Sequence, residues 1–227
     1  PEALRKECGA LAAQGFESML LLTGDAPKAV NLDYIAKSVE IALEYFPSVS
    51  VEIYALEKHA YERLSNVGIE GVTLYMETYD RNTYARVHLE GDKANYDFRL
   101  DATERAGDAG ARKISIGVLL GLFDWRTDLL WLALHAKHLQ KKCWKSSLSL
   151  SFPRLLHTPK RFHVTDLVTD TDLVQIILAM RLFLPEAGFN LSTRRRKIES
   201  GRNLGKPSVG TQPIKPIGPH RREWQGH

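Results

Sequence analysis

Six short apolar runs, each separated from the next by a stretch that is mostly helical in period, constrain this chain more than any other feature. The runs are residues 18–22, 49–55, 71–76, 113–118, 147–152 and 188–191. Between them, Asn31 is a good helix N-cap, Ile35, Val39 and Leu43 recur every four residues, and Pro47 closes the segment. Shorter helical stretches cover 57–66, with Gly68 just beyond, and 103–109, ending near Gly110. Two longer ones run over 128–140 and 172–184, the second stopped by Pro185. Strands that read as apolar on both faces, alternating with helices, predict an α/β fold with a parallel sheet covered by helices. Right-handed crossovers then permit either a doubly wound sheet or a barrel of the TIM type. Polar residues follow four of the strands, at Thr23-Gly24-Asp25, Glu77-Thr78-Tyr79, Gly117 and Pro153-Arg154. In both folds strand C-termini face the ligand, and the convergence of four such ends favours a barrel-like mouth.

At 227 residues the chain suits one sizeable domain. Its 31 basic and 27 acidic residues give +4, but 191–227 holds nine basic and two acidic residues, so 1–190 is left at 31 − 9 = 22 against 27 − 2 = 25, or −3. The basic excess therefore belongs to a tail. That tail, 195–227, carries four prolines and five glycines with almost no apolar period, a composition that predicts disorder. It lacks interleaved aromatics and a basic helical face, which argues against a nucleic-acid partner. The longest apolar run, around 114–123, is interrupted by Ser115, Gly117 and Gly121, so no membrane span is expected. Two cysteines, Cys8 and Cys143, stand 135 positions apart; a reducing, cytoplasmic compartment fits them.

The polar residues at the strand ends admit two readings each. Thr23-Gly24-Asp25 sets a carboxylate beside a small residue, which suits a ligand ammonium or a plain turn leading into a helix. Glu77, Tyr79, Tyr84 and His88 form the densest polar group; if Tyr84 starts a helical turn, His88 lies one turn on along the same face and could orient a phenol or relay a proton. They open a segment, 80–100, too long and polar for a simple connection, read as an active-site loop with a short helix or as a solvated excursion. Arg154 leaves an apolar strand through Pro153 and suits a carboxylate, or else is a surface arginine. His135, His138, His157 and His163 have no metal-site spacing, so no metal ligands are assigned; GxGxxG, GxxxxGK(S/T) and GxSxG are all absent.

Together, Val72-Thr73-Leu74-Tyr75-Met76-Glu77-Thr78-Tyr79, then Tyr84, His88 and 96–100, resemble the radical S-adenosylmethionine family of tyrosine lyases in thiamine biosynthesis, the 2-iminoacetate synthases. Lys113-Ile114-Ser115-Ile116-Gly117, Leu119-Leu120-Gly121-Leu122, Ser151-Phe152-Pro153-Arg154-Leu155, Leu173-Val174-Gln175 with Arg181-Leu182, and Leu191-Ser192-Thr193-Arg194 follow in the family's order. The resemblance covers roughly 2–194 and implies a radical SAM barrel of which this chain carries strands two to seven, about six βα units, followed by the tail. It implies a cytoplasmic enzyme working beside the thiazole synthase, with S-adenosylmethionine and a 4Fe-4S cluster, that cleaves tyrosine to dehydroglycine and p-cresol. By the same likeness Thr23, Gly24 and Asp25 receive the cosubstrate's methionine ammonium, and Ile116 and Gly117 lie near its adenosyl part. Glu77, Tyr79 and His88 would act at the reacting centre, while Arg154, Tyr84, Ser192 and Arg194 hold the tyrosine.

The sequence also departs from the family. Its CxxxCxxC cluster motif is missing, Met76 replaces a usual glutamine, and 156–163 is shorter and more basic. After Arg194 the pattern gives way to basic residues, and a shifted reading frame explains that change; with a start at Pro1-Glu2-Ala3 it suggests a partial, inactive chain. Related expectations are an enzyme acting on another aromatic amino acid, or a barrel remnant without catalysis.

Overall fold

The computed structural model describes residues 2–155 and 167–191. Each apolar run coincides with a strand, β2 starting one residue before its run: β1 Ser18–Leu22, β2 Ser48–Glu52, β3 Gly71–Thr73, β4 Lys113–Gly117, β5 Ser147–Ser151 and β6 Gly188–Asn190. All pairings are parallel, and the order across the sheet is the order along the chain. A doubly wound sheet reverses its order at a switch point. None occurs here, so the sheet is an open, curled partial barrel of the TIM type, as the resemblance implies.

Strand β1 has the two apolar faces expected, with Met19 and Leu21 on the helix side and Leu20 and Leu22 on the other, but β2, β4 and β5 correct that expectation. Val49, Val51, Val72, Ile114, Ile116, Leu148 and Leu150 are buried with the helices. The opposite face carries Ser48, Ser50, Glu52, Thr73, Ser115, Gly117, Ser149, Ser151 and Asn190. Register places Glu52, Thr73, Ser115, Ser149 and Gly188 in one cross-strand layer. Asn190 Nδ2 ties this layer together by donating to Ser115 Oγ at 3.0 Å and Ser149 Oγ at 3.2 Å. Helices cover only one face, so only that face must be apolar. The two-residue period is present in the sequences Ser-Val-Ser-Val-Glu and Ser-Leu-Ser-Leu-Ser themselves.

Local signals set the helix ends. Helix α1 spans Glu2–Ala12, and α2, Leu32–Leu43, starts where Asn31 Oδ1 accepts from Tyr34 N–H. Helix α3, Lys58–Val67, ends at Gly68, whose φ of 116° carries the last turn into the left-handed region. The segment expected as a loop is largely helical: α4 Arg81–Val87 is capped by Asp80, a 3-10 turn covers Asp92–Ala94, and α5 Tyr96–Leu100 is capped by Asn95. Helix α6 is Ala102–Asp108. Helix α7, Trp125–Lys142, begins one turn earlier than periodicity suggests, because Asp124 accepts from Thr127 N–H. Helix α8, Asp170–Phe183, opens on a Thr169–Asp172 capping box.

Two cores result. One joins β1–β3 to α1–α3 and α6 and contains Cys8; the other joins β4 and β5 to α7 and α8 and contains Cys143. Met76 packs in the second, a purely apolar role for the residue that departs from the family pattern.

Gly117 shows how tightly the inner face is filled. A Cβ there would lie 2.7 Å from the Ser151 carbonyl oxygen and 2.9 Å from Tyr75 Cδ1, whereas one at Gly24 would meet nothing within 4 Å. Gly117→Ala is expected to lower stability by about 1–3 kcal/mol in urea unfolding, with Gly24→Ala within about 0.5 kcal/mol of the parent. Equal midpoints for the two variants would contradict this packing.

Candidate functional site

The C-terminal ends of β2 to β6 surround a cavity of about 430 Å³, lined by Glu52, Tyr75, Glu77, Leu119, Arg154 and Asn190 among others. Its floor is partly apolar, with Phe152 and Leu173, and Tyr75 is fixed by its hydroxyl donating to Ser151 Oγ at 3.0 Å. Burial, reinforced by the neighbouring Glu77 charge, pushes the Glu52 carboxyl above its ordinary range.

Glu77 belongs to a charged network at the mouth. Lys93 Nζ lies 3.0 Å from Glu77 Oε1 and 3.4 Å from Asp25 Oδ2. Arg99, only 5% exposed, reaches Asp25 Oδ1 at 3.3 Å and donates from Nε to the Tyr75 carbonyl at 2.8 Å. Neither cation stood out in sequence; the available signal was two basic residues within a charged segment that follows a buried strand. Asp25 thus has two cationic partners. Its neighbour Thr23 extends the β1–β2 pairing by donating to the Glu52 carbonyl, and Thr23 Oγ1 is buried without a protein partner.

Tyr84 and His88 support this network from beneath. Tyr84 is 1% exposed and donates to the Lys93 carbonyl at 2.6 Å, and its ring lies 4.1 Å from that of His88, one turn on as the spacing predicts. Burial and the adjacent Lys93 lower the His88 pKa, and burial lifts the Tyr84 phenol to about 12. Neither lines the cavity.

Tyr79 turns the other way. Its hydroxyl meets His135 Nδ1 of α7 at 2.7 Å, beside an outer groove of about 710 Å³ shared with Trp131 and His138. The structure therefore divides the polar group of Glu77, Tyr79, Tyr84 and His88. It divides Ile116 from Gly117 as well: Ile116 is buried in the helix-side core, and Gly117 faces the interior against Tyr75 and Ser151.

Arg154 lies on the cavity wall, held by an isolated bridge to Leu120 that prolongs β5. Its guanidinium donates to Asp170 Oδ1 at 2.6 Å, and the Asp170 side chain is 92% exposed. Ser192, Arg194, His157 and His163, and the tail 195–227, lie outside the described residues. Among the described residues no group of three or more His, Cys, Asp or Glu side chains is placed to hold a metal. Cys8 and Cys143 sit in separate cores, and burial raises both thiols, Cys143 to about 11. They do not fit a 4Fe-4S cluster, which needs accessible thiolates converging on one point. No helix among the described residues is long and apolar enough to cross a membrane.

Asp128, buried, and His135, half-buried at the outer groove, titrate in opposition. Burial raises Asp128 from 3.8 to about 6 and lowers His135 from 6.5 to about 4. The raised acid makes folding less favourable as pH climbs from 3.8 to 6; the lowered imidazole makes it less favourable as pH falls from 6.5 to 4. In urea unfolding across that range, and relative to the parent, Asp128→Asn should steepen the loss of stability on acidification and His135→Gln should lessen it. Parallel pH profiles for parent and both variants would refute the assignment.

No family model matches the sequence. The chain is 39% identical over 192 residues to 2-iminoacetate synthase of Escherichia coli K12, covering 84% of this chain and 51% of that protein. Among solved structures, HydG, a maturase of the FeFe-hydrogenase, superposes with a TM-score of 0.80 at 30% identity, covering 86% of this chain and 45% of the other. HydG from Carboxydothermus hydrogenoformans gives 0.75 at 33% identity, with 84% and 45% covered. The chain spans about half the length of the curated relatives it matches. A single-order parallel partial barrel, a charged cavity at its strand ends and this likeness across most of the chain together place it in the radical S-adenosylmethionine family.

Proposed function

We propose that the cavity recognises tyrosine, as the substrate-binding part of a radical S-adenosylmethionine lyase that yields 2-iminoacetate and p-cresol for the thiazole of thiamine. The observation that carries this reading is one cavity bearing both a guanidinium, Arg154, and two carboxylates, Glu52 and Glu77. An α-amino acid is a zwitterion, so its carboxylate suits the guanidinium and its ammonium the carboxylates. The volume, about 430 Å³, lies in the small-molecule range, and Tyr75, Phe152 and Leu173 offer surface for an aromatic ring. Asp170 is almost wholly exposed, so a ligand carboxylate can replace it on Arg154 without stranding a buried charge.

By the same reading Thr23, Gly24, Asp25 and Gly117 would hold S-adenosylmethionine, in a cytoplasmic setting beside the thiazole synthase. The cluster is another matter. Two buried, separated cysteines within these 227 residues cannot ligate it, so the reading concerns recognition and assigns no redox step to this chain. That observation favours a second reading, in which this stretch binds the amino acid without transforming it.

The test is calorimetric. The 227-residue chain is titrated with L-tyrosine and with tyramine, which keeps the phenol and ammonium but lacks the carboxylate. Arg154→Ala should weaken tyrosine binding by about 2–5 kcal/mol, Arg154→Lys should recover part of it, and tyramine should bind all three alike. Equal tyrosine affinity for Arg154→Ala and the parent would return Arg154 to a surface role.

A further inference from the structure

Glu77 is the single non-glycine residue among those described with a positive φ, 67°. That conformation crowds Cβ against the carbonyl oxygen and persists only where the surroundings over-determine it. Upstream, Met76 N–H donates to the Gly117 carbonyl at 3.1 Å; at the residue itself, the Glu77 carbonyl accepts from Leu119 N–H at 2.8 Å. Downstream, both following residues bond one oxygen: Asp128 Oδ1 accepts from Thr78 Oγ1 at 3.0 Å and from Tyr79 N–H at 2.7 Å. Asp128 lies in the first turn of α7 and is 1% exposed, and Thr78 is fully buried. Its second oxygen, Oδ2, has no protein partner. A carboxylate buried at the cost of half its hydrogen bonds calls for an explanation beyond packing.

We infer that Asp128 is a positioning residue: by fixing Thr78 and Tyr79 it holds Glu77 in its left-handed conformation and so keeps the Glu77 carboxylate in the cavity. The position of Glu77 is what matters here, and its use as an ammonium partner rests on the amino-acid reading above. With the clamp released, Glu77 relaxes to negative φ, its carbonyl leaves Leu119 N–H, and its carboxylate leaves Lys93.

Amide hydrogen exchange on the full chain tests this without any ligand. Asp128→Ala should speed exchange at Leu119 by about tenfold or more while Leu150 in β5 keeps the parent rate. Asp128→Asn, which retains the Oδ1 acceptor, should leave Leu119 at the parent rate. Glycine occupies positive φ freely, so in a Glu77→Gly background Asp128→Ala should change Leu119 exchange by less than about threefold. If Asp128→Ala does not fold, Thr78→Val removes one of the two bonds and should give an intermediate loss. Unchanged Leu119 protection in folded Asp128→Ala, or in Thr78→Val where Asp128→Ala does not fold, overturns the clamp, as does an equal loss with glycine at 77. Where the parent binds tyrosine, Asp128→Ala should weaken it in step with Leu119 protection. Loss of protection in a chain that binds no tyrosine upholds the clamp and overturns only the amino-acid reading.

Discussion

The one-sided burial of the sheet is the constraint from which the site follows. Strands ordered as they occur in sequence, with crossovers that pass on one side, put α1–α3 and α6–α8 on the same face. That face receives Val49, Val51, Val72, Ile114, Ile116, Leu148 and Leu150, and their burial supplies the sheet's share of both cores. The inner face is thereby released from the need to be apolar. Apart from Leu20 and Leu22 of β1 and Glu52 of β2, it carries serine, threonine, glycine, lysine and asparagine, and its small polar residues from β2 to β6 lie beside a charged cavity. The same parity continues beyond β3, so that Tyr75 and Glu77 point inward while Met76 packs outward.

Three carboxylates, Asp25, Glu52 and Glu77, stand just beyond or at the ends of three adjacent strands, an arrangement that repels itself in a partly buried setting. The segment from α4 to α5 answers that repulsion by bringing Lys93 and Arg99 back over the mouth. Arg99 is nearly buried yet satisfied by a carboxylate and a backbone carbonyl, and Lys93 is held in place through its own carbonyl by Tyr84. The segment is therefore part of the site's electrostatic structure. Its helices are short, five to seven residues, and depend on the side-chain caps of Asp80 and Asn95 and on the ring contacts of Tyr84 with His88 and Tyr96.

What sequence reveals here tracks how local each determinant is. Strand positions, the caps at Asn31 and Gly68, and the exits at Glu77 and Arg154 are set by a few neighbouring residues and could be read directly. Lys93 and Arg99 could not: their partners lie between 16 and 74 positions away, and no spacing rule links a charge in a polar segment to a particular strand end. Asp128 reads as an ordinary acidic residue in a helix's first turn, a favourable place for it on dipole grounds alone. Its bonds to Thr78 and Tyr79 appear only once α7 is packed beside the end of β3.

Tyr79 illustrates the same limit from the other side. Two residues beyond Glu77, alternation would have placed it in the cavity with Glu77, but alternation assumes extended backbone, and the left-handed turn at Glu77 ends it. From there the chain leaves the barrel: Thr78 goes to Asp128, and Tyr79 to His135 on the outer side of α7. One unfavourable φ thus does two things. It leaves a carboxylate facing the cavity, and it hands the following residues to the helix layer, so that inner cavity and outer groove meet through the three-residue stretch Glu77-Thr78-Tyr79.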